Sequence, residues 1–104
     1  MSASGSARAE LEAAWLRLTG EELPALAEDR GWPISADHCF QRILLDHAVG
    51  GCWYHHVEGR PAYRRLDDAR LAAAVSLGRE AIAGGADVHA LNRQSLAWRR
   101  TRAG

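Results

Sequence analysis

The chain contains no lysine; all thirteen of its basic residues are arginine. It has one methionine, one phenylalanine and two cysteines in 104 residues. Two cysteines, Cys39 and Cys52, are too few for a disulfide scaffold. The small polar residues 1–10 do not resemble an export signal, so both thiols are expected to be reduced in a cytoplasmic protein. No apolar run approaches the ~18 residues that a membrane span needs. Phosphate loops, dinucleotide fingerprints, serine elbows and paired-carboxylate motifs are all missing, and no cofactor is predicted. Arginine without lysine, beside abundant alanine, suits a GC-rich bacterial genome. The functional alternative is a need for bidentate contact with phosphate or carboxylate groups.

What is present has a globular balance, with 47% hydrophobic and 25% charged residues, so disorder is not expected. A chain of this length suits one domain and buries roughly 60–70% of the surface it exposes when unfolded. Residues 1–5 read as a frayed tail and residues 6–104 as a single helical domain. The formal net charge is zero but unevenly spread: residues 1–58 hold four arginines and nine acids, residues 59–104 nine arginines and four acids. Such asymmetry marks an anionic partner for the basic half, two halves that attract each other in the fold, or a head-to-tail oligomer.

Helical periodicity recurs along the chain. Leu11, Ala14, Trp15 and Leu18 follow the i, i+3, i+4, i+7 rule, predicting a helix over 7–18 that Gly20 ends. Pro24 opens a short second helix that Gly31 closes. Ser35 is the expected N-cap of a third helix over 36–49, with Phe40, Ile43, Leu44 and His47 on its apolar face. A fourth helix is predicted over 68–83, capped by Asp67, with Leu71, Val75, Gly78 and Ile82 inward. Gly78 in mid-helix costs about 1 kcal/mol against alanine, which points to close helix packing. A fifth helix over 88–100, capped by Asp87, turns Val88, Leu91, Ser95 and Trp98 inward. The expected fold class is therefore all-α, a compact bundle-like domain of four or five helices. Between the third and fourth helices, residues 52–65 show neither helical nor strand periodicity. Fourteen irregular residues are more than a plain connection requires.

Chemistry concentrates around that segment. Cys52, His55 and His56 offer a local but incomplete metal set, and no spacing matches a known zinc module. Cys39 lies in the first turn of the third helix, where the helix dipole favours a thiolate, but the adjacent His38 points about 100° away. His38, Arg42 and Asp46, four residues apart, form a polar stripe on one side of that helix and are expected to face outward, opposite its apolar face. Trp15 and Trp98 read as core, whereas Trp32 and Trp53 flank the third helix.

Three functions follow as expectations. The leading one is a helical interaction module that binds a partner protein or itself through Trp32, His38, Arg42, Asp46, Trp53, Tyr54, His55, His56 and Tyr63, aromatic and arginine residues being typical interface anchors. The second is nucleic-acid binding through Arg60, Arg64, Arg65, Arg93, Arg99, Arg100 and Arg102 of the basic half. The third is a small enzyme or ligand-binding protein using His38, Cys39, Arg42 and Asp46.

Overall fold

Every regular element among the described residues is helical. A computed structural model describes residues 3–103, and the side chains of residues 7–100. The tail expected over residues 1–5 lies outside the described side chains. Helices α1 (Ala3–Arg17), α2 (Leu23–Arg30), α3 (Asp37–Val49), α4 (Ala62–Arg65), α5 (Asp68–Ala83) and α6 (Val88–Ala103) follow in order. All but the four-residue α4 are long enough to build a bundle, so the all-α, single-domain expectation of four to five helices is met.

The first helix does not end at Gly20. A π turn over Leu18–Glu22 carries the chain directly from α1 into α2. The reason lies four residues on. Pro24 has no N–H, and in a regular α-helix its ring would press on the carbonyl of Gly20. The wider turn, in which the Leu23 N–H bonds back to the Leu18 carbonyl, relieves that conflict. Thr19 returns its hydroxyl to the Trp15 carbonyl at 2.9 Å and accepts from Gln41 Nε2 at 3.1 Å, which ties the turn to α3.

Other boundaries match with small shifts. The N-cap of α3 is Ala36 rather than Ser35, and no side chain caps it; Asp37 Oδ1 instead accepts from the His38 N–H at 2.7 Å. Gly31, Gly50 and Gly84 adopt left-handed φ at the C-caps of α2, α3 and α5, the conformation glycine supplies at little cost. Asp87 caps α6 through the His89 N–H at 3.0 Å. Residues 52–65 are less irregular than expected. They contain a 3-10 turn over Trp53–His55 and then α4.

The core forms where α3 crosses its neighbours. Trp15, Leu18, Leu23, Phe40, Ile43, Leu44, Leu71 and Val75 are almost wholly buried. Helix α3 touches α2, the π turn, the 3-10 turn, α5 and α6, while α5 also packs on α1. At Gly78 of α5, a Cβ would collide with the Leu18 side chain and press on Leu44 at 3.2 Å, the close approach that its mid-helix position suggested. Arginines fasten the periphery. Arg8 of α1 bonds Asp68 at 2.7 Å and the Tyr63 carbonyl at 3.0 Å. Arg30 of α2 donates to the Ile82 carbonyl at 2.9 Å, near the C-terminus of α5, where a cation is favoured.

Candidate functional site

The polar stripe on α3 winds inward. Each step of four residues turns about 40° further around a helix, so His38 and Asp46 differ by about 80° in direction. His38 is exposed, with Nδ1 3.7 Å from Asp37 Oδ1. Arg42 is half-buried, and Asp46 is fully buried beneath α6. The expectation that Asp46 stands outward is thus corrected. A carboxylate tolerates burial only when its lone pairs are met, and here four donors meet them. Oδ1 accepts from the Trp53 N–H at 2.9 Å and from Arg99 Nη2 at 3.1 Å. Oδ2 accepts from the Ser95 hydroxyl at 2.6 Å and from Arg99 Nε at 3.0 Å.

Asp46 therefore joins α3, the 3-10 turn and α6. Burial works against the Arg99 charge, but the hydrogen bonds and charge of Asp46 outweigh it and raise the guanidinium pKa above its ordinary value. The seam continues on either side. Arg42 donates to the Ser95 hydroxyl at 2.8 Å and to Asn92 Oδ1 at 2.7 Å. The His47 ring lies edge-on to Trp98 with centroids 5.0 Å apart, and its Nε2 is 3.0 Å from the Leu91 carbonyl. Trp98 and Leu91 are half-buried at this seam rather than part of the central core. Arg42 and Asp46 do not form the surface ion pair that their i, i+4 spacing suggests. They meet through Ser95.

Beside the seam lies a pocket of about 570 Å³, within the size range of small-molecule sites. Helix α3 contributes His38, Gln41, Arg42 and Leu45, and α1 contributes Trp15. The residues 53–63 segment contributes Trp53, Arg60, Pro61, Ala62 and Tyr63. Arg60 sits over the Trp53 ring, 5.2 Å from its centroid, an arrangement that steadies both groups. Trp15 is fully buried, and its indole Nε1 has no hydrogen-bond partner among the described residues. The lining carries two guanidinium groups and, among the described residues, no carboxylate.

Four of the nine expected binding residues meet here: His38, Arg42, Trp53 and Tyr63. Trp32 is elsewhere, edge-on to Phe40 at 5.8 Å with Arg30 over its ring. Tyr54 is half-exposed and receives Arg99 Nη1 at 3.3 Å. The Cys52 sulfur beside the Tyr54 hydroxyl raises the phenol pKa above its usual value, against the Arg99 charge, which lowers it. His55 and His56 are exposed. Cys52 is buried, and both cysteines are free thiols. Among the described residues, no three histidine, cysteine or acidic side chains gather as metal ligands. Cys39 is half-buried, and the imidazole of His38 lies beside Asp37.

The arginines expected to meet nucleic acid separate into different settings. Arg99 is engaged with Asp46, and Arg60 and Arg64 lie over Trp53 and Tyr63. Arg65 packs near Gly59, while Arg93 and Arg100 are exposed. The Arg102 side chain lies outside the described residues. Sequence reasoning missed Trp15, Leu45, Pro61 and Ala62 as pocket residues, because an apolar wall has the same pattern as core, and it missed Gln41, a polar residue with no distinguishing spacing. It also missed Ser95 and Asn92. Ser95 did carry a signal, since a hydroxyl on the inner face of α6 requires a partner.

No helix is long and apolar enough to cross a membrane among the described residues. No protein-family model, curated protein or solved structure matches the chain.

Proposed function

We propose that the chain is a non-enzymatic binding module whose working surface is the face formed by α3 and residues 53–63, and that it recognises a negatively charged group on an apolar body. One observation carries this reading. Arg42 and Arg60 line a pocket otherwise walled mainly by Trp15, Leu45, Trp53, Pro61 and Tyr63. Small-ligand sites combine apolar walls with a few convergent polar groups in this way. Such a group can be displayed by a partner protein or arrive as a free molecule, and either meets the same two arginines. The free thiols Cys39 and Cys52 favour a reducing compartment such as the cytoplasm.

A thermal-shift screen of small organic anions, cations and neutral molecules tests the proposal. Ligands that bind only the folded state raise its melting temperature. Stabilising compounds should be concentrated among anions, and their effect should vanish in Arg42→Met and Arg60→Met. Stabilisation by cations, or by anions acting equally on both variants, would refute the proposal, as would a screen in which no anion stabilises the protein.

A further inference from the structure

We infer that the occupant of this pocket is a free aromatic monocarboxylate, an inference that rests on the anionic reading above and narrows it. Three features lead there. The first is the shape of the chemistry: half-buried Trp53 and Tyr63 provide aromatic wall, backed by the buried Trp15 and completed by Leu45, Pro61 and Ala62, so a flat apolar body is matched on more than one side. The second is the fixed orientation of Arg42. Its Nη1 and Nη2 each bond a neutral acceptor on α6, Ser95 Oγ and Asn92 Oδ1. The guanidinium plane is therefore held in place while its charge is left without direct carboxylate contact, and a planar carboxylate suits the N–H groups that those two bonds leave over. The third is the amount of charge. Arg42 is one hydroxyl away from the buried Asp46 carboxylate, but that carboxylate is already paired with Arg99, so Arg42 keeps its charge and is held by directional bonds. Arg60 lies over an indole. One guanidinium in a fixed direction suits a single carboxylate, whereas a phosphate dianion calls for two such groups. Behind this wall the Trp15 indole is fully buried, and its N–H has no acceptor among the described residues.

The test uses the full-length 15N-labelled chain at low salt, titrated separately with phenylacetate, phenyl phosphate, phenethylamine and acetate. Phenylacetate should move the indole N–H signals of Trp15 and Trp53 and the backbone amides of Ala62 and Tyr63, saturating in the millimolar range. Acetate and phenethylamine should leave them in place. Arg60→Met, at an exposed position, should weaken phenylacetate about tenfold, the equivalent of about 1.4 kcal/mol. Arg42→Met should weaken it at least as much, and circular dichroism would establish that this variant is folded. Tighter saturation by phenyl phosphate would overturn the carboxylate inference and leave the anionic reading standing. Movement of the same signals by phenethylamine, or by none of the four probes, would overturn both. Phenylacetate binding that is indifferent to Arg60→Met would also overturn the inference.

Discussion

Replacing Asp46 by asparagine preserves the side chain's volume and removes its charge. In the folded chain both carboxylate oxygens face donors: the Trp53 N–H and Arg99 Nη2 on one side, the Ser95 hydroxyl and Arg99 Nε on the other. An amide presents one oxygen and one NH2 group, so whichever way it turns, one pair of donors meets another donor. Removing one partner of a buried ion pair costs about 3–5 kcal/mol when the remaining charge stays buried. The Arg99 side chain keeps 22% of its exposure and regains some hydration, which lowers the expected loss to about 2–3 kcal/mol. For a domain of this size that corresponds to a fall of about 10–20 °C in melting temperature.

Thermal and urea unfolding, followed by circular dichroism, would measure the loss. The companion variant Arg99→Met and the double variant complete the test. Because the two groups contact each other directly, their effects should be non-additive by about 1–3 kcal/mol. A loss below about 0.5 kcal/mol for Asp46→Asn, which is the range of an ordinary surface change, would refute the argument. So would strict additivity of the two substitutions.

Two more outcomes follow. Gly78→Ala should gain about 1 kcal/mol of helix propensity but lose more to overpacking, because the added methyl collides with the buried Leu18 and presses on Leu44. Urea unfolding should show net destabilisation, and a more stable variant would mean that Leu18 moves aside freely. Ultraviolet titration should find the Tyr54 phenol ionising above its ordinary range, because the Cys52 sulfur opposes the phenolate. A folded-state pKa that is raised stabilises the protein at pH values below the unfolded phenol pKa, near ~10, and that contribution is lost as the pH climbs through the folded value. Cys52→Ala should lower the Tyr54 midpoint, and an unchanged midpoint would show that the sulfur is not the cause.

Local patterns were legible in the sequence, and long-range ones were not. The bounds of α5, the Asp87 cap and the crowding at Gly78 depend on neighbours within a turn or two, so periodicity and glycine placement reveal them. The π turn was hidden because Gly20 is a common terminator, and the conflict that Pro24 creates became visible only once the helix was seen to continue. Asp46 was misplaced for a different reason. Its polarity argued for solvent, while its actual partners, Ser95 and Arg99, lie 49 and 53 residues away. The pocket was half legible: its charged and aromatic rim was anticipated, but its floor and walls resemble core.

The fastening of α6 has a mechanical consequence. Oily surfaces slide past one another with little penalty, whereas hydrogen bonds are directional and lose most of their strength when displaced or tilted. Helix α6 is held on α3 by Asn92, Ser95 and Arg99, spaced along it at nearly one-turn intervals and bonded by Arg42 and Asp46 between them. A shift of one turn would misalign all three together. The helix therefore behaves like a key with three teeth, seated in a single position or withdrawn altogether. Because Arg42 grips two of those teeth while also lining the pocket, the seating of α6 governs where that arginine points.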